Sequence, residues 1–302
     1  MGADGCGRKT DLPGVDSHTG VAPPLELPGG IRRRLLRLLR PILNIAAQPI
    51  YALYEQRLAR QVARRPPPRH IGLVLDGNRR YALREGLVHP GHAYRLGAQK
   101  LDQVIEWCME QSIPAVTLWV CSTENLARPP DQVAGLMAAV EEKMRALAKD
   151  RHVHNHRIRV RAIGRLEQLP AAARDAIRAA EQATAGYDGM LLSIAVAYGG
   201  REEIADAVRG MLAEAAERGV PLAELAEAVT PEAIARHLYL ATAPEPDLII
   251  RTSGEVRLSG FLLWHSATSE FYFSEVLWPA FRRIDFLRAI RAFQDRSRRF
   301  GR

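Results

Sequence analysis

The chain predicts an α/β fold, a single domain with a central, mostly parallel six-stranded sheet flanked by helices. Short apolar runs of strand length alternate along the chain with amphipathic stretches of roughly 12–20 residues, the signature of a parallel sheet covered on both faces. The runs end abruptly in polar or turn-forming residues. At 302 residues, 47% of them hydrophobic and 25% charged, the chain can also bury a full core.

Residues 1–30 are rich in Gly, Pro, Asp, Ser and Thr, lack periodicity and read as a disordered leader. Residues 31–65 change character. Arg32, Arg33, Arg34, Arg37 and Arg40 intersperse with Leu35, Leu36, Leu38, Leu39, Ile42 and Leu43, a basic amphipathic helix interrupted at Pro41 and Pro49. Two roles fit it: peripheral contact with an anionic bilayer, at the inner face of the membrane, or packing of its leucines on the main domain. Arg64-Arg65-Pro66-Pro67-Pro68 is a stiff linker that opens the third segment, 66–302, the catalytic domain.

Within that domain Ile71–Leu75 is the first strand and Arg95–Gln111 a helix. Ile113–Cys121 is the second strand, and a helix with proline at its first position runs from Pro129 to Lys149. Arg157–Ile163 is a third strand, Ala171–Ala185 a helix, and Met190–Ala197 a fourth strand. Arg201–Arg218 is helical, followed by two short helices near Leu222 and after Pro231. Asp247–Ile250 is the fifth strand, Phe261–Trp264 the sixth, and Phe281–Arg298 a last basic helix. No internal repeat interrupts this order.

The net charge of +8 implies anionic partners. The aromatic–basic alternation of a nucleic-acid module is missing, so nucleic acid is not among them. Cys6, Cys108 and Cys121 lack C-x-x-C spacing, which argues against a disulfide framework or zinc site and fits a reducing cytoplasm. No apolar run reaches the roughly 18 residues of a membrane span. The most apolar early piece, 41–54, is broken by Pro49 and starts too deep for a secretory signal.

Function is expected where strands end. The first strand runs into Asp76-Gly77-Asn78-Arg79-Arg80-Tyr81. A carboxylate there suits a metal–polyphosphate complex; the glycine admits an anion close to the backbone, a helix start offers free N–H groups, and Arg80 adds charge. Taken alone, the same residues also fit an ordinary strand–turn–helix corner. The second strand ends in Ser122-Thr123-Glu124-Asn125-Leu126-Ala127-Arg128-Pro129, which fits either a site at the same edge or a helix cap. The fourth ends in Tyr198-Gly199-Gly200-Arg201-Glu202-Glu203. The fifth ends in Arg251-Thr252-Ser253-Gly254-Glu255-Val256-Arg257-Leu258-Ser259-Gly260, where two arginines and three hydroxyls mark an anion site. Glu270, among aromatic residues, needs a metal or guanidinium partner if buried. His152, His154 and His156 fit a strand face that could hold a metal, or a solvated loop edge.

Together these blocks resemble the cis-prenyltransferases, the Z-type isoprenyl diphosphate synthases that include undecaprenyl diphosphate synthase. The resemblance covers His70 to the end. It rests on H-I-x-x-x-x-D-G-N-x-R-x-A, S-T-E-N-x-x-R-P, Y-G-G-R-x-E-I, R-T-S-G-E-x-R-L-S-G-F-L-L-W and S-E-F-Y-F-S-E-V-L-W-P-A-F. The wording is most similar to the short-chain branch, which makes Z,E-farnesyl diphosphate.

The resemblance implies condensation of isopentenyl diphosphate with an allylic diphosphate primer, geranyl or farnesyl. A cis double bond forms, diphosphate leaves, Mg²⁺ assists, and the hydrocarbon lies in an apolar tunnel between the sheet and the helices after the first two strands. It also implies a homodimer. Asp76 would serve the metal and the primer diphosphate, which Gly77, Asn78 and Arg80 cradle; Arg79, Tyr81 and His89 fall in the same substrate-binding region. Ser122, Thr123, Glu124, Asn125 and Arg128 match the block that positions the isopentenyl group and assists proton removal. Arg251, Arg257 and Ser259 would bind isopentenyl diphosphate, with Glu270 a second metal ligand. Asp76, Asn78 and Asn125 are thus the candidate catalytic residues, and the proton acceptor is either Asn78 or the released diphosphate.

The sequence departs from the family at several points. Arg79 stands where glycine is common, Tyr81 replaces a usual tryptophan, and the downstream G-H-x-x-G loop is out of step at Gly91-His92, leaving His89 as its basic residue. Val256 cannot ligate, and Val120 is bulkier than the alanine of many long-chain members, which favours a short product. A medium- or long-chain polyprenyl synthase is the alternative. A non-catalytic partner subunit is a further one, although such proteins typically lose the aspartate–asparagine turn.

Overall fold

The computed structural model describes residue 49 and residues 51–87 and 90–296. The leader, most of the 31–65 segment and His89 lie outside the described residues. The chain divides into units Met1–Tyr51 and Ala52–Arg302, and the second carries the fold.

Six strands form one sheet: β1 (His70–Val74), β2 (Ala115–Trp119), β3 (Ile158–Ile163), β4 (Met190–Ala195), β5 (Leu248–Arg251) and β6 (Glu270–Phe273). Their order is β3-β4-β2-β1-β5-β6, and every pairing is parallel. The chain therefore moves to one side of β1 for β2–β4 and to the other for β5 and β6. The point where that direction reverses, between β1 and β5, is where ligands bind in open α/β sheets.

Helices make the crossovers. Residues 51–62 are helical (α1). Asn78–Arg84 (α2) and Pro90–Glu110 (α3) join β1 to β2. Pro130–Leu147 (α4) and Arg151–Asn155 (α5) join β2 to β3, and Ala171–Thr184 (α6) joins β3 to β4. Gly200–Glu217 (α7), Leu222–Ala228 (α8) and Pro231–Ala235 (α9) precede β5, and Arg283–Asp295 (α10) follows β6. Strand side chains alternate between two cores. Ile71, Leu73, Val116, Leu118, Leu192 and Ile194 join the larger one with α3, α4, α6 and α10, whereas Val74, Trp119 and Ala195 face a smaller one with Tyr198, Phe261 and Leu262.

Two expectations need correction. Phe261–Trp264 is not a strand; the sixth strand is Glu270–Phe273. Positive φ angles at Ser259, Gly260 and Leu262 (53°, 85° and 46°) prevent extension, and Phe261 turns inward to stack on Trp119 with ring centroids 5.2 Å apart. Periodicity cannot separate such a buried turn from a buried strand. The three histidines lie neither on a strand nor in a loop. His152 and His154 are on α5 and His156 caps it, with His154 Nδ1 2.9 Å from the Tyr187 hydroxyl and Nε2 3.1 Å from the Ala148 carbonyl. No metal-holding group of three such residues occurs among the described residues. The described helix of the 31–65 segment, α1, packs on the domain: Leu58 and Val62 are buried in the larger core, Gln294 Nε2 donates to the Val62 carbonyl (3.0 Å), and Arg283 meets Glu55 (3.0 Å).

Candidate active site

Asp76 leaves the carboxyl end of β1 at the reversal point. Its main chain is fixed from both sides. Its N–H donates to Thr252 Oγ1 (3.0 Å), and its carbonyl accepts from that hydroxyl (2.8 Å) and from Trp278 N–H (3.0 Å). The side chain accepts from Gly77 N–H through Oδ1 (2.7 Å) and from Arg251 Nη2 through Oδ2 (2.9 Å), with Arg80 Nη2 3.6 Å from Oδ1. Burial opposes ionisation of this carboxyl. The hydrogen bonds from Arg251 and Ser253, the Arg251 charge and the Gly77 N–H outweigh it and hold the pKa below the usual aspartate value.

Gly77 has φ of +101°, and a Cβ there would meet Leu277 Cδ2 at 2.8 Å, so any side chain would strain the turn. Asn78 opens α2 and donates through Nδ2 to the Leu75 carbonyl (3.0 Å). Its Oδ1 is buried without a hydrogen-bond partner, against Gly97 of α3, where a Cβ would come within 2.5 Å of it.

Arg251, the last residue of β5, is buried and satisfies three acceptors. Besides Asp76 it donates through Nη1 to the Arg257 carbonyl (2.6 Å) and Ser259 Oγ (2.8 Å), while its Nε is buried without a partner. Arg80 donates to Ser253 Oγ (2.6 Å) and the Ser253 carbonyl (3.2 Å), and it meets Glu255 at 3.3 Å. Arg257 is exposed and also pairs with Glu255. One carboxylate thus holds two arginines side by side where an incoming anion would take its place. From sequence, Thr252 and Ser253 are only two of the hydroxyls of an expected anion site, and Glu255 has no role. Their signal was the mixed polar run between Arg251 and Arg257, but only the fold shows Thr252 bracing Asp76 and Glu255 bridging the cations.

The Ser122–Arg128 block forms a 3-10 turn, Thr123–Ala127, beyond β2 at this same edge, with Ser122 bridged to Tyr198 beyond β4. Asn125 and Arg128 are half-buried. A hydrogen bond from Ser122, then its own main chain and Thr123, holds the Glu124 carboxyl below its ordinary value against the opposing effect of burial.

Other assigned residues lie elsewhere. Arg79 is exposed and reaches Gln132 of α4 (3.4 Å), away from the Asp76 cluster, because one helical residue separates it from Arg80 by about 100°. Tyr81 lines a shallow surface cleft with Leu96 and Lys100, its ring covered by Arg84 at 5.5 Å. Glu270 does not join Asp76 within one chain. It pairs in register with Leu248, at the start of β5, whereas Arg251 marks the carboxyl edge. Three strand residues separate the two levels by about 10 Å, and Glu270 is ion-paired to Arg296.

Next to Asn78 a largely apolar cavity, about 540 Å³ when the open solvent at its mouth is counted, extends between the sheet and helices α3 and α4. Leu75, Val120 and Ile194 form its sheet wall, Tyr94, Gly97 and Leu101 one helix wall, and Leu136, Val140 and Met144 the other. This is the position expected of the hydrocarbon tunnel. Asn78 is the residue common to the anion edge and the cavity.

An arginine-lined anion edge opening onto an apolar slot defines an enzyme class that handles a charged head and a hydrocarbon tail together. The family described as undecaprenyl diphosphate synthase matches residues 74–301. An isoprenyl transferase of Thermus thermophilus is 55% identical over 270 residues, covering 89% of this chain and 99% of the relative. The (2Z,6E)-farnesyl diphosphate synthase of Thermobifida fusca is 51% identical over 253 residues, 84% of this chain and 97% of the relative. Among solved structures, lavandulyl diphosphate synthase from Lavandula x intermedia, in complex with dimethylallyl diphosphate, superposes with a TM-score of 0.71 at 32% identity, covering 78% of this chain and 99% of that one. The chain belongs to the undecaprenyl diphosphate synthase family of cis-prenyltransferases. It is a prenyl-transferring enzyme that extends isoprenyl chains. Among its described residues no helix is long and apolar enough to cross a membrane.

Proposed function

We propose that the enzyme condenses isopentenyl diphosphate with a short allylic diphosphate, geranyl or farnesyl, and releases a short-chain Z-prenyl diphosphate. The observation that carries this reading is the Asp76–Arg251 pair beside Asn78, where an anion edge meets the apolar cavity. The allylic C–O bond breaks with negative charge growing on the departing diphosphate, which Arg80 stabilises from a fixed position. The remaining allylic carbons take on cation character, and the apolar walls keep water from them. Arg251, with Arg257 and Ser259 on the loop hydrogen-bonded to it, suits the isopentenyl diphosphate. The orphaned Asn78 Oδ1 is a preformed acceptor beside the cavity and supports its part in proton removal.

Asp76 fits Mg²⁺. It is one half-buried carboxylate held ionised beside a polyphosphate site, and Mg²⁺ is usually bound by one or two carboxylates together with substrate phosphates. When bound, the ion would neutralise diphosphate charge; Glu270 of the same chain does not reach this position. Val120 on the cavity wall supports a short product. A homodimer and peripheral membrane contact through 31–65 complete the proposal.

The test is direct. Purified full-length protein with Mg²⁺, labelled isopentenyl diphosphate and either primer should give short Z products on chromatography of the dephosphorylated alcohols. Products of ten or eleven isoprene units would establish the long-chain alternative, and light scattering reads the oligomeric state.

A further inference from the structure

We infer that Lys143 and Asp102 close the far end of the apolar cavity and set the length of the product, an assignment that rests on the prenyl-transfer reading above. Both helices walling the cavity descend from the carboxyl edge of the sheet: α3 leads into the start of β2, and α4 leads through α5 into the start of β3. Their upper ends approach closely, since a Cβ on Gly135 would lie 3.4 Å from Gly91 Cα. Below that contact the cavity holds them apart.

At a rise of 1.5 Å per residue, Asp102 lies about 8 Å below Gly97, and Lys143 about 10 Å below Leu136. The pair therefore stands at the end away from Asn78, level with Met144, which is 1% exposed. The Lys143 side chain lines the cavity and is only 13% exposed, yet its ammonium pairs with the outward Asp102 carboxylate, which is 49% exposed. The aliphatic stem is thus wall material, held across the slot by an anchored head.

A growing hydrocarbon that reached this level would have to swing the stem aside, parting the ion pair and placing an unpaired ammonium against apolar surface. A second bridge between the same helices, Arg95 to Glu142 at 3.5 Å, is exposed at both ends and does not line the cavity. The geometry singles out Lys143 as the length-limiting residue and Asp102 as the residue that positions it.

The experiment compares product lengths from wild type, Lys143→Ala and Asp102→Asn, using full-length protein, Mg²⁺, geranyl diphosphate and labelled isopentenyl diphosphate. Longer-to-parent product ratios should rise roughly tenfold or more in Lys143→Ala, the lower end of what a small change in a hydrophobic pocket does to discrimination. Asp102→Asn, nearly isosteric and leaving the lysine in place, should move the ratio in the same direction. An unchanged ratio in both variants, even with lowered melting temperatures, overturns the inference. Should Lys143→Ala fail to fold, Asp102→Asn decides alone. A wild type that condenses no isopentenyl diphosphate refutes the underlying function, and the inference falls with it.

Discussion

Arg251 Nη2 lies 2.9 Å from Asp76 Oδ2, joining the last residue of β5 to the turn after β1 across the point where the strand order reverses. The guanidinium side chain is 6% exposed and the carboxylate 31%, so the pair is shielded from water on one side and open to a ligand on the other. It fixes the anion edge and keeps Asp76 ionised.

Replacing Asp76 by Asn removes the charge and keeps the shape. Turnover should fall by about 10³-fold, the scale of losing one preorganised electrostatic group. Stability should fall by about 1–3 kcal/mol because Arg251 is left buried without its anion, less than for a fully buried pair since Asp76 is partly exposed. Steady-state assays and denaturant melts read both, and turnover near wild type would sink the site assignment.

Arg251→Lys conserves charge but not geometry. One ammonium cannot serve Asp76, the Arg257 carbonyl and Ser259 Oγ in the directions the guanidinium does. Loss of one charge-assisted hydrogen bond, about 1.5–3 kcal/mol, corresponds to a rise of roughly 10–100-fold in KM for isopentenyl diphosphate. An unchanged KM would place that substrate elsewhere.

Gly77→Ala tests the turn. With φ of +101° and Leu277 Cδ2 at 2.8 Å from the added methyl, the substitution strains the main chain that carries Asp76 and Asn78. Stability should drop by about 1–3 kcal/mol, with activity falling as well. Calorimetry showing no change would mean the turn relaxes freely.

His70 predicts the pH dependence of folding. Its ring is buried, with Nδ1 2.6 Å from the Pro244 carbonyl and Nε2 2.8 Å from Thr117 Oγ1. Burial pushes its pKa down from 6.5 to about 4, against the opposing pull of the Pro244 carbonyl. The unfolded chain therefore binds a proton that the folded one refuses. The stability linked to neutral His70 is complete above pH 6.5 and is lost as pH falls toward 4, by up to about 3 kcal/mol. Denaturant melts across this window should show a steeper decline for wild type than for His70→Gln; parallel curves would refute it.

Much of this was legible in the order of residues. The apolar runs at Ile71, Ala115, Met190 and Leu248 declare strands because a sheet covered on both faces needs little that is polar within them, and the edge strand at Ile158 declares itself by alternating charged and apolar residues. Asp76, Arg80 and Arg251 declare themselves because such groups directly after buried strands need a partner, and the family wording from His70 onward named the chemistry. Local pattern does not report whether an apolar segment is extended, so Phe261–Trp264 was indistinguishable from a strand while Glu270–Phe273 was one.

The sequence by itself determined the parallel α/β class, the candidate residues for binding phosphate and the transfer of prenyl groups. Only the tertiary structure decided which of them share an edge: it brought Asp76 to Arg251, sent Glu270 to the opposite end of the sheet and turned Arg79 outward. It also set Lys143 and Asp102 across the cavity. The reason is physical. Strand order and helix direction arise from packing between segments far apart in the chain, and the spacing of residues within one segment carries no record of them.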